Sequence, residues 1–114
     1  MAFAYLSEKD IEIIGQCLVA SVNGPFFPDW EFATLFGLER EEVGTVMRTW
    51  PNVLDDDNSA LLAVKNALGN LVGYPHGEEL SQFVSATPEQ LLEILKRYLI
   101  GTCEQTSYLK AVRD

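Results

Sequence analysis

The chain has 114 residues, 47% hydrophobic and 22% charged, with seventeen acids against eight bases and a formal net charge of −9. That length and composition fit one globular domain, residues 1–114, able to bury a core without disulfides or metals, and they exclude low-complexity and disordered classes. An acidic body repels nucleic acid and anionic membrane and favours a basic protein as partner.

Ser7 predicts a helix N-cap. Its hydroxyl can accept from the Asp10 N–H, and Glu8 and Asp10 suit the positive helix end. Ile11, Ile14, Leu18 and Val22 recur at helical spacing, and Ile13, Cys17 and Ala20 widen the apolar face. A first, central helix is expected over residues 8–23, with Gly24 as its C′ residue before Pro25. The start "MAFAYLSEKD" has neither a basic n-region nor a long apolar h-region, so no signal peptide is expected. The longest apolar stretch, "IEIIGQCLVASV", carries Glu12 and is too short to span a bilayer. A cytoplasmic location is expected. Cys17 and Cys103 read as free buried thiols of a reducing compartment, with no CxxC or Cys/His cluster to suggest zinc.

In "GPFFPD" two prolines forbid helix, and Phe26 and Phe27 are apolar enough to fold back onto the core. Asp29 is the expected cap of a second helix that ends near Gly37. A third helix is expected over residues 39–50, with Val43, Val46, Met47 and Trp50 on one face and Pro51 as its stop.

Together these two helices have the spacing of a helix-turn-helix. Ala33 is the small residue of the first helix, Gly37 the turn glycine and Val43 the locking residue of the second. Phe32, Phe36, Leu38 and Val46 fill the supporting apolar positions. The chemistry disagrees with DNA reading. The start of a recognition helix needs bases and amides for the major groove, and here it reads Glu39, Arg40, Glu41, Glu42. Residues 29–50 carry five acids and two bases, so counter-ion release has little to act on. The expectation is a rigid helical corner with an acidic outer face.

"NVLDDDNS" offers several caps for a fourth helix over residues 57–72, whose apolar face runs from Leu61 to Val72. Counted as a calcium loop from Asp55, position six is Ala60 and position twelve Asn66, so the match fails. "GYPHG" breaks the chain, and "EELSQFV" fits one or two helical turns. Thr87, Pro88 and Gln90 open the last helix as cap, first residue and capping-box partner. Its stripe of Leu91, Leu92, Leu95, Tyr98, Leu99 and Thr102 can run on through Leu109 and Val112, with Gly101 as a kink or end. The fold class expected is all-α, about five helices in an orthogonal or bundle-like domain containing the helix-turn-helix-like corner.

"GPFFPDWEF", "TLFGLEREEV" and "NALGNLVGYPHG" together resemble a set of small uncharacterised bacterial proteins that share an FFP-acid-WEF segment and a GYPHG-like turn. The resemblance covers residues 24–77 and implies a bacterial cytosolic origin, with no activity, cofactor or catalytic residue attached. It singles out Trp30, Glu31, Asn66, Asn70, Tyr74 and His76 as a cluster. Asn66 and Asn70 share a helix face, and partners for their amides are expected from Glu31 or the GYPHG turn. Phe26, Phe27 and Trp30 form an aromatic approach suited to a protein or homodimer contact. The function expected is therefore non-enzymatic, through protein contacts of an adaptor, immunity or antitoxin-like kind, without cofactor or metal. The alternatives are a DNA-binding helix-turn-helix protein and a small-ligand site or enzyme built on His76, the only histidine.

Overall fold

A computed structural model of the chain describes residues 3–54, 56–73 and 79–113, with the backbone alone for residues 103–113. Its α-helices are α1 (Glu8–Asn23), α2 (Asp29–Phe36), α3 (Arg40–Thr49), α4 (Asn58–Gly73) and α5 (Pro88–Arg113), with a 3-10 turn at Glu79–Gln82 before α5. No strand occurs among the described residues, and the chain is all-α as its periodicity predicts. Among these residues no helix is long and apolar enough to cross a membrane.

The helix starts follow the expected local chemistry, with one exception. Asp10 N–H donates to Ser7 Oγ at 3.1 Å, and Ser7 N–H donates back to Asp10 Oδ2 at 3.0 Å. Thr87 and Gln90 make the same reciprocal pair at 3.2 and 2.8 Å. Of the aspartates before α4, Asp57 accepts from the Ala60 N–H at 3.1 Å. Asp29 is the exception. It is the first residue of α2 rather than its cap, and its carboxylate accepts from Arg40 Nε at 2.9 Å.

The end of α1 also departs from expectation. Gly24 closes the helix in extended geometry, φ −82° and ψ 173°, rather than in the left-handed turn of a C′ glycine. Pro25 explains this: a residue before proline is pushed into the extended region, and proline has no N–H to return to the helix. The last carbonyls of α1 must then find donors elsewhere. By contrast Gly37 ends α2 at φ 67°, the left-handed conformation expected of the turn glycine.

Helix α4 is the hub, with α1, α2, α3 and α5 packed around it. Ile14, Leu18, Phe32, Phe36, Val43, Leu68, Leu71, Leu91 and Tyr98 fill the interior between them. Trp50 closes the side where α3 meets α1: its Nε1 donates to the Ile11 carbonyl at 2.8 Å. Its ring lies so close to Gly15 that a Cβ there would stand 3.0 Å from Trp50 Cδ1. Gly101 neither kinks nor ends α5. It is buried on the inner side of a helix that continues to Arg113.

The corner between α2 and α3 keeps the expected turn and loses one expected contact. Val43 is fully buried, but Ala33 is exposed. The inner face of α2 is set by Phe32 and Phe36, one turn apart with rings stacked at 4.3 Å, and Ala33 lies well off that face. α3 packs instead on α1, where Gly44 lies against Val22. The two helices meet mainly at their joint and are held through α1 and α4 rather than by each other.

Candidate interaction surface

The aromatic group splits sharply. Phe26, Phe27, Phe32 and Phe36 are core residues, and Trp50 is half-buried. Phe27 meets Phe36 edge-on at 5.4 Å, and Phe26 meets Phe83 edge-on at 5.5 Å. Phe26 and Phe27 fold back onto the core, as their apolar character between two prolines predicts, and so do not form the aromatic approach also expected of them. The prolines on either side of them turn the chain back over the end of α1, and two adjacent rings enter the core together. Trp30, the second residue of α2, is 83% exposed. Asp29, Glu39, Glu41 and Glu42 are exposed on the same corner.

Arg40, at the start of α3, faces inward. Its Nη1 donates to the carbonyls of Val22 at 2.6 Å and Ser21 at 3.3 Å, the α1 carbonyls that Pro25 leaves without a local donor. Its Nη2 donates to the Phe27 carbonyl, and Nε to Asp29. The guanidinium carbon lies 4.3 Å from the centre of the Phe32 ring. One side chain thus caps α1, holds the Phe26–Phe27 loop and ties α3 to both. The five N–H groups of a guanidinium can do this and a lysine cannot. The recognition-helix position then presents three carboxylates with its base turned inward.

Asn66 and Asn70 perform the same service for α2. Asn66 Nδ2 donates to the Phe36 carbonyl at 2.8 Å and Asn70 Nδ2 to the Leu35 carbonyl at 3.0 Å. Both amides are half-buried on α4, and the carbonyls they meet belong to the last turn of α2. Partners expected at Glu31 or the GYPHG turn are thus joined by a helix end that no sequence spacing indicates. Glu31 is half-buried on α2. Tyr74 and His76 lie outside the described residues, and so does the reading of His76 as a general base.

Other polar groups also serve the frame. Asp10 accepts from Arg97 Nη2 at 2.9 Å through both oxygens, tying the first turn of α1 to α5. Gln16 Oε1 accepts from the Ser85 N–H at 2.8 Å and its hydroxyl at 3.0 Å. Tyr98 donates to the Leu61 carbonyl at 2.7 Å, and burial holds its phenol well above the usual range. Cys17 is buried, and desolvation pushes its thiol up to about 12 from an ordinary 9.0. A thiol that stays protonated through the neutral range is no nucleophile. The side chain of Cys103 and the metal reading of "DDDN", which needs Asp55, lie outside the described residues. Among those residues no group of three His, Cys, Asp or Glu gathers.

Compared with known proteins, the chain matches no family model, no curated protein and no solved structure. Sequence reasoning missed Arg40, Arg97, Gln16 and the Trp50 indole as tertiary bonding groups. One signal was present for Arg40: an isolated base in an acidic run, downstream of a helix whose Gly24–Pro25 end leaves its carbonyls open.

Proposed function

We propose that the protein is non-enzymatic and acts through protein contacts, with the acidic α2–α3 corner and Trp30 as the surface that meets a basic partner. The exposure of Trp30 carries this reading. A tryptophan on a small acidic protein, 83% open while its aromatic neighbours are buried, is the kind of residue that anchors an interface. Exposed carboxylates at Asp29, Glu39, Glu41 and Glu42 lie on the same helix–turn–helix segment, and an excess of one sign of charge there steers a basic partner toward the corner. An adaptor, immunity or antitoxin-like role in a bacterial cytoplasm fits such a surface.

The DNA-binding alternative has the Gly37 turn and the buried Val43 in its favour, but its recognition position offers carboxylates. Arg40 is occupied by four acceptors, and Arg48 contacts Thr45 on its own helix. Mixed-sequence DNA titrated at low salt is expected to give flat fluorescence anisotropy. A rise that weakens with salt would restore the DNA reading. The partner is sought by capture on immobilised wild-type protein and on Trp30→Ala, with bound proteins identified by mass spectrometry. A basic protein retained by the first and lost from the second is expected. Identical sets from both would overturn the role of the corner.

A further inference from the structure

Helices α1 and α5 both pack on α4, and polar side chains bridge the cleft between them at two levels. Asp10 accepts from Arg97 at one level and Gln16 from Ser85 at the other, so the two helices run antiparallel. A cavity of about 280 Å³ opens there, reaching from the Arg97 bridge to Ser85. Ile13 of α1 and Ile94 of α5, both buried, give it an apolar base. Its charged residues come in both signs: Lys9 and Asp10 from α1, Glu93 and Arg97 from α5. Lys9 and Ile13 are one turn apart, and Gln90, Ile94 and Arg97 recur at spacings of four and three, so each helix turns a single face to the cavity.

Several of these groups are open to a ligand. Arg97 uses only Nη2 on Asp10, and among the described residues its Nε and Nη1 have no partner. Its side chain is 40% exposed. Lys9 and Glu93 meet only Glu12 at 3.7 Å and Lys96 at 3.5 Å, each on its own helix and more than half exposed. Such surface pairs are weak and exchange readily. A simple anion in the cavity meets the carboxylates of Asp10 and Glu93, and a simple cation meets Lys9 and Arg97. A molecule that carries both charges and an apolar part finds a counterpart for each. The volume is at the small end of ligand cavities, roughly 300–1,000 Å³, which restricts that molecule to a short one.

We propose that the α1–α5 cleft binds a free α-amino acid with an aliphatic side chain. Its carboxylate accepts from Arg97 and Lys9, a guanidinium being well shaped for a carboxylate. Its ammonium donates to Glu93, and its side chain lies on Ile13 and Ile94. The cleft shares no residue with the Trp30 corner, so this site stands or falls apart from the partner reading.

Titration of the isotope-labelled full chain with L-leucine and L-valine, followed by heteronuclear NMR, is expected to give saturable shifts at millimolar concentration. They are expected to centre on residues 9–13 and 85–97. N-acetyl-leucine lacks the ammonium and leucinamide the carboxylate, and each is expected to bind at least several-fold more weakly than leucine. Glu93→Gln is expected to weaken leucine several-fold and leave N-acetyl-leucine no weaker. Lys9→Gln is expected to weaken leucine and leave leucinamide no weaker. Both positions are on the surface, so far-UV circular dichroism and Tm are expected to stay at wild-type values. No saturable shift with either amino acid would overturn the site. N-acetyl-leucine or leucinamide binding as tightly as leucine would overturn the amino-acid assignment, and leucine binding unchanged in both variants would overturn its location.

Discussion

Replacing Arg40 by alanine removes donors from four acceptors in three segments of chain. The Asp29 contact contributes least, because that carboxylate is 93% exposed and an exposed pair is worth about 0.2–1 kcal/mol. The carbonyls of Ser21, Val22 and Phe27 matter more. Each loses a charge-assisted bond worth about 1.5–3 kcal/mol when well buried, discounted here because water can reach part of the site. The arginine side chain is 27% exposed. Loss of stacking on Phe32 adds about 0.5–1 kcal/mol. A net destabilisation of about 3 kcal/mol follows, out of the roughly 5–15 kcal/mol by which a domain of this size is stable. In a thermal melt followed by circular dichroism this corresponds to a fall in Tm of about 12 °C. Arg40→Lys keeps the charge but not the planar fork, and is expected to recover about a third of the loss. Asp29→Ala is expected to cost under about 1 kcal/mol. If Arg40→Ala melts within about 4 °C of wild type, or if Asp29→Ala costs as much as Arg40→Ala, the capping argument is wrong.

Four further outcomes follow from the same geometry. Asn66→Asp and Asn70→Asp turn a donor into an acceptor facing a carbonyl, so each is expected to cost about 2 kcal/mol at neutral pH, more than the alanine variants, by urea denaturation. Equal costs for Asp and Ala would refute the assigned donor direction. Gly37→Ala places a Cβ at φ 67° and 3.3 Å from Leu62, and is expected to cost about 1–2 kcal/mol, with Gly37→Asn milder. Gly15→Ala gains about 1 kcal/mol of helix propensity but presses on Trp50, so a change in indole fluorescence is expected together with no net gain in Tm. The Cys17 thiol is raised in the folded state from 9.0 to about 12. Its contribution is complete below pH 9 and is lost as pH climbs from 9 through 12, because the unfolded chain releases the proton first. The unfolding free energy from urea titration should fall over that range by up to about 1.4 kcal/mol per pH unit from this group, and Cys17→Ala should flatten the fall. Burial of Tyr98 acts in the same direction and leaves a residual slope in that variant.

Helix positions were legible because their signals are local. Ser7 with Asp10 and Thr87 with Gln90 each satisfy backbone N–H groups within one turn. Gly37 stands where only a residue free of Cβ takes a positive φ cheaply. The burial of Ile14, Leu18, Val43, Leu68 and Leu91 follows from spacing alone. The candidate surface was legible only in part. The prolines of "GPFFPD" already indicate that Phe26 and Phe27 fold back onto the core, and they do. Trp30 belongs to the same run of aromatics yet points out, because Phe32 and Phe36 set the inner face of α2, which residue type alone does not report.

The chain's own pattern determined the class and order of helices and the acidic character that disfavours DNA. These rest on contacts between residues at most a few positions apart, or on composition. Tertiary structure decided where helix ends find their partners. Pro25 denies α1 a local cap and Arg40 supplies one from 18 and 19 residues away. Asn66 and Asn70 reach the end of α2 across 30 and 35 residues. A backbone carbonyl accepts a suitable donor from any part of the chain, so only the packed arrangement selects which side chain arrives.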